Sequence, residues 1–130
     1  MTDRELVRIA KEAMQFAYAP YSHFQVGAAL LAKDGRVFQG CNVENASYGA
    51  TNCAERTAIF KAVSEGVREF EAIAIVASSG EYAAPCGICR QVLFEFLPDG
   101  KVILDSNEKG MMIFSVQELL PFGFRGEDIK

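Results

Sequence analysis

The sequence predicts an α/β fold in which one mixed sheet is sandwiched between helices. Three observations carry this. The order of patterned segments is α-β-β-α-β-α-β-β, and helices lying between strands imply crossover connections. The run FEAIAIVAS, residues 70–78, is almost continuously apolar, as a strand covered on both faces must be. The chain is 130 residues long and half hydrophobic, which suffices for one good core and not for two, so 1–130 is read as a single domain.

The elements follow in order. Leu6, Ile9, Ala10, Ala13 and Met14 recur at three- and four-residue spacing, giving an amphipathic helix over 3–17, capped by Thr2 and ended by Pro20. FQVGAALLAKDGRVFQGCNV, 24–43, reads as two strands about a Lys-Asp-Gly turn at 33–35, a β-hairpin. Residues 53–65 hold Ala54, Ala58, Ile59, Ala62 and Val63 among helix formers, and Gly66 stops them. The strand FEAIAIVAS comes next. A third helix at 87–96 carries Ile88, Val92, Leu93 and Phe96 and ends before Pro98. KVILD and MMIFS are the last strands, a short helix covers 115–120, and the tail reads LLPFGFRGEDI.

Bulk properties exclude several functions. The net charge is −4 with no Lys/Arg cluster, which argues against nucleic acid and anionic membranes as partners. The apolar run AIAIVA, 72–77, is far too short to span a bilayer. The N-terminus MTDRELVRIA is charged and amphipathic, unlike a signal peptide, so the protein is expected in the cytoplasm. Four cysteines could form two disulfides, but a cytoplasmic chain with an adequate core has no need of them. Metal binding, redox chemistry and packing are the remaining uses.

Cys86 and Cys89 form a C-x-x-C that opens the third helix behind Pro85, and Cys53 opens the second. If both helix starts meet at one end of the sheet, unpaired N–H groups and positive dipole ends favour thiolates there. Three sulfurs make three corners of a tetrahedron, and zinc suits them. With no second C-x-x-C near Cys53, the fourth corner falls to water, the mark of a catalytic site. A redox pair and a buried packing cysteine are the rival readings. Cys41 ends a strand without a partner at ligand spacing and is read as packing. His23, the sole histidine, lies in the turn YSHF and is a poor metal candidate.

Glu55 lies about 200° around a regular helix from Cys53. The two can face one ion only if Cys53 sits at the very start of the helix and reaches over its end. Glu55 then stands beside the metal without ligating it, placed as a general base and proton shuttle. The alternative is a first-turn carboxylate complementing the helix dipole. Three thiolates leave Zn²⁺ with a net negative charge, which weakens its power to acidify water. The helix ends and Arg56 can offset that charge, Arg56 by donating to the sulfurs, while Glu55 takes the proton. Arg90 is a weaker candidate for the role given to Arg56.

With C-A-E at 53–55 and P-C-x-x-C at 85–89, the chain resembles the zinc nucleoside deaminases. YAPYSHFQVGAAL, GCNVENASY, NCAERTA, PCGICRQ and the LLPFGF tail make it similar to the small homotetrameric cytidine deaminases over essentially its whole length. The resemblance implies a three-layer α/β/α sandwich with a five-stranded mixed sheet. It implies one Zn²⁺ per subunit and hydrolysis of cytidine and 2′-deoxycytidine to the uridines and ammonia, a reaction of pyrimidine salvage. It also implies a homotetramer whose active sites are shared between subunits.

By the same resemblance Cys53, Cys86 and Cys89 ligate zinc and Glu55 is the acid/base. Asn42 and Glu44 hydrogen-bond the sugar, Phe24 packs on the pyrimidine, and the Ala54 N–H donates to the base carbonyl. Phe124 and Tyr48 reach the site from neighbouring subunits. Physical reasons stand beside these roles. Asn42 and Glu44, two apart at a strand end, share a face if the strand continues, and together offer a hydroxyl both donor and acceptor. Phe24, opening an apolar strand, could equally be core. Phe122 and Phe124 cannot both hide within so short a tail, which favours an interface. A deaminase of modified nucleosides, a non-catalytic zinc module and a redox C-x-x-C domain are the alternatives.

Overall fold

The computed structural model describes residues 1–129. Its elements are α1 (Asp3–Met14), β1 (Val26–Ala32), β2 (Val37–Cys41), α2 (Ala54–Ser64), β3 (Phe70–Ala77), α3 (Gly87–Phe96), β4 (Lys101–Ser106), β5 (Gly110–Ser115) and α4 (Val116–Leu119). Single turns of 3₁₀ helix at Tyr48–Ala50 and Gly126–Ile129 complete them, and neither has a sequence signal. The five strands form one sheet in the order β2-β1-β3-β4-β5. Only β3 and β4 pair in parallel; the other neighbours are antiparallel, so the sheet is mixed.

Alternation along the central strands builds a core on each face, because successive side chains of a strand point to opposite sides. Ala28, Leu30, Ile73, Ile75, Val102 and Leu104 pack under α2 and α3, against Ala58, Ile59 and Leu93. Ala29, Leu31, Ala72, Ala74, Val76 and Ile103 face the other way, against Leu6, Val7 and Ala10 of α1. The result is three layers: α1, the sheet, then α2 and α3. Burial on both faces is why β3 is unbroken apolar sequence from Ala72 to Ala77, with only Glu71 near its start exposed.

Thr2 caps α1 through a reciprocal box with Glu5, as its position predicts. The helix ends at Met14, three residues earlier than the periodicity suggests and well before Pro20. The cause is tertiary. Tyr18 is drawn into extended pairing, its N–H donating to the Asn42 carbonyl and its own carbonyl accepting from Glu44. Residues 15–17 therefore unwind through i→i−3 bonds.

Candidate metal and nucleoside site

Two helices that begin with cysteine make the site. The residues preceding the first turns of α2 and α3 are Cys53 and Cys86, and neither side chain caps its own helix. A helix start ordinarily recruits Ser, Thr, Asp or Asn, whose oxygen satisfies a free N–H. Here both sulfurs turn away from that task and toward each other, with Sγ atoms 3.8 Å apart. Cys89, in the first turn of α3 and fully buried, supplies the third; all three sulfurs lie within 4.8 Å of one another. Sulfurs about 2.3 Å from a tetrahedral zinc ion stand about 3.8 Å apart, so the donor set and its spacing fit that ion. No imidazole or carboxylate joins the three among the described residues. His23 is thus outside the group, as is Glu55.

The electrostatics of the thiols reflect their crowding. The Cys53 thiol is pushed down to about 5, first by the Cys89 S–H that donates to it and also by Arg56 and Cys86. Cys89 moves the opposite way, holding the proton it shares with Cys53 inside a buried position. A dication releases that proton, because metal binding requires the thiolate form. Arg56 Nη2 donates to Cys53 Sγ at 3.3 Å, while its Nε is buried without a hydrogen-bond partner. Arg90 does not share this position. Its Nε donates to the Pro85 carbonyl at 2.8 Å and its Nη1 to the Leu119 carbonyl at 3.0 Å, so it ties α4 to the loop before α3.

Glu55, in the first turn of α2, is only 4% exposed. Burial pushes its carboxyl above the ordinary carboxylate range, and the charge on Cys53 adds to the effect. It borders a cavity of about 260 Å³ together with Cys53, Cys86, Ala54, Phe24, Asn42 and Glu44. That volume lies just under the range of about 300–1,000 Å³ found for drug-sized ligands and suits a small metabolite. Ala54 is the first helical residue, and its N–H has no partner inside the helix.

Phe24 is 41% exposed on this wall, outside both cores, because β1 begins only at Val26. Chain 42–44 continues past β2 in extended form, with Val43 bridging Tyr18 and Asn52, so Asn42 and Glu44 share one side. Asn42 spends part of its amide internally: Oδ1 accepts from the Val26 N–H at 2.9 Å and Nδ2 donates to the Phe24 carbonyl at 2.8 Å. Ser22, Thr51, Ala83 and Ala84 also line the cavity without having been expected from the sequence; only the YSHF turn marks one of them. Tyr48 lies beside the cavity, edge-on to Tyr21 with ring centroids 6.2 Å apart, in a hollow that shares Ser22, Glu44 and Thr51. Phe124 is elsewhere, lining a separate hollow with Phe94, Leu120 and Phe122. Cys41, half-buried at the end of β2, has its thiol pushed up by burial and stands apart from the sulfur group.

A mixed sheet between helices, with three thiols gathered at two helix starts beside a buried glutamate, defines an α/β protein built around a zinc-type centre. Residues 1–105 match the family model described as the cytidine and deoxycytidylate deaminase zinc-binding region, and the chain belongs to that family. It is 55% identical to a cytidine deaminase of Halalkalibacterium halodurans, covering 98% of each chain. It is 50% identical to one of Sporosarcina psychrophila, over 99% of this chain and 96% of the other. A crystal structure of cytidine deaminase from Burkholderia pseudomallei superposes with a TM-score of 0.91 at 52% identity, over 95% of this chain and all of that one.

Proposed function

We propose that this protein hydrolyses cytidine and 2′-deoxycytidine to uridine and 2′-deoxyuridine with release of ammonia. The observation that carries the reading is the single cavity that joins the sulfur group and Glu55 to Phe24, Asn42 and Glu44. One end of that cavity suits hydrolytic chemistry and the other a polar sugar. Cys53, Cys86 and Cys89 would hold one Zn²⁺ per subunit, which when bound supplies the Lewis acidity that makes water nucleophilic near neutral pH.

The chain's own groups do the rest. The base lies against Phe24, its carbonyl accepting from the Ala54 N–H, and the sugar meets Asn42 and Glu44. Glu55 takes a proton from the attacking water and delivers it to N3 of the base, which leaves C4 electron-poor. The oxygen adds to C4. Glu55 then moves a second proton from that oxygen to the amino nitrogen, the C4–N bond breaks and ammonia leaves. A buried carboxyl held above its ordinary range is suited to both transfers, since a general acid–base works best near the operating pH. Arg56, donating to Cys53, reduces the excess negative charge of a three-thiolate site.

The functional unit is a homotetramer in which Phe124 and Tyr48 of neighbouring subunits complete each site. The exposure of Phe124 at 56% and of Phe122 beside it supports an interface at the tail. The compartment is the cytoplasm and the role pyrimidine salvage. No helix among the described residues is long and apolar enough to cross a membrane. Following the ultraviolet change as cytidine is consumed, with and without a strong chelator, tests the reading. Turnover that stops on chelation and returns with Zn²⁺ supports it; a zinc-loaded protein that releases no ammonia from cytidine or 2′-deoxycytidine overturns it.

A further inference from the structure

One hydroxyl ties together two residues that line the cavity, Glu44 and Phe24. Ser22 Oγ donates to Glu44 Oε2 and accepts from the Phe24 N–H at 3.0 Å. Glu44 Oε1 accepts from the N–H groups of Tyr21 and Ser22 at 3.0 and 3.1 Å. Phe24 is tied onward, its carbonyl accepting from Asn42. His23, between Ser22 and Phe24, adopts the left-handed conformation at φ 58°, a geometry uncommon for a non-glycine residue but easier for His than for most. That turn lets one serine face both the carboxylate ahead of it in space and the amide two residues on in sequence.

The geometry points to Ser22 as a positioning residue that sets substrate affinity by fixing the Glu44 carboxylate and the Phe24 backbone in one arrangement. This rests on the reading of Phe24, Asn42 and Glu44 as nucleoside contacts. Glu44 receives three donors from the turn, two on Oε1 and one on Oε2. Its orientation is therefore decided before any ligand arrives, and a ligand hydroxyl meets the lone pair left on Oε2. An ionised carboxylate on a flexible side chain would otherwise sample several rotamers, and holding it lowers the entropy lost on binding. The sugar is remote from C4 and unchanged in the reaction, so loss of this arrangement appears in KM more than in kcat.

Steady-state kinetics on the zinc-loaded protein test this. Ser22→Ala raises KM for cytidine about tenfold, the scale of a hydrogen bond to a charged group, while kcat falls less than about threefold. Ser22→Thr, which keeps the hydroxyl, restores KM to within about threefold of the parent, on the same scale. In a Glu44→Ala background Ser22→Ala adds less than about threefold, only the Phe24 N–H being left for it to hold, since residues acting through one another are not additive. Zinc content and melting temperature show whether each variant is folded. An unchanged KM in Ser22→Ala overturns the inference, as does its full effect persisting without Glu44. If the alanine variant fails to fold, a folded threonine variant with the tenfold higher KM overturns it as well. A parent protein that does not turn over cytidine sinks the function itself; a normal parent with an indifferent Ser22 sinks only this inference.

Discussion

A Cβ placed on Gly40 would lie 2.4 Å from the carbonyl oxygen of Ala54. Helix α2 rests directly on the backbone of β2, and the first residues of that helix border the cavity of the candidate site. Glycine at 40 is what allows Cys53, Ala54 and Glu55 to sit at their depth against the sheet. Gly40→Ala is expected to lift the start of α2 and separate Cys53 from Cys86 and Cys89. Overpacking of this kind costs about 1–3 kcal/mol. Urea denaturation measures the stability loss, and metal analysis after dialysis measures the accompanying loss of zinc; a variant with parental values on both counts contradicts the packing account.

Glu55→Gln preserves volume and removes the carboxyl proposed to carry the proton. The variant is expected to retain stoichiometric zinc, since Glu55 is not among the sulfur group. Its kcat is expected to fall by at least about a hundredfold, the lower scale for a general acid–base. Keeping more than about a tenth of parental kcat is incompatible with the shuttle role, because it falls short of that scale.

Arg56→Ala removes the donor 3.3 Å from Cys53 Sγ. With no guanidinium beside it, a three-thiolate centre carries uncompensated negative charge. Groups that orient and tune metal ligands are worth about 10–100-fold in affinity or activity when removed. Competition against a chromogenic chelator should reveal faster zinc loss in this variant. Parental retention together with parental turnover would show that the hydrogen bond is incidental.

Glu44 carries a pH signature. Its carboxyl is held below the ordinary carboxylate range, chiefly by the Ser22 hydroxyl and then by the backbone N–H groups of Ser22 and Tyr21. A carboxyl depressed on folding contributes stability that is complete above its unfolded value and is lost as pH falls through its folded one. The parent should therefore exceed Glu44→Gln in stability by a constant margin above pH 4.5, and the margin should close on further acidification. Urea titrations of the two proteins at matched pH check this. A margin that widens as the pH falls has the wrong sign and removes Glu44 from the hydrogen-bonded turn.

The sequence by itself determined the elements and the metal donors, because those depend on short-range chemistry. Leu6, Ala10 and Ala13 mark a helix by spacing alone, and Thr2 with Glu5 caps it wherever it packs. The C-x-x-C and Cys53 announce a sulfur centre because helix starts are local features. Only the tertiary structure decided where α1 ends, since Tyr18 is extended by a strand that follows it by more than twenty residues. It alone tied Arg90 to the carbonyls of Pro85 and Leu119, where the sequence offered it only as a weaker partner for the sulfurs. It alone assembled Ser22, Phe24, Asn42 and Glu44 into one hydrogen-bonded wall. Leu119 lies 29 residues from Arg90 and Glu44 lies 22 from Ser22, and side-chain partners so distant in the chain are not written in local spacing.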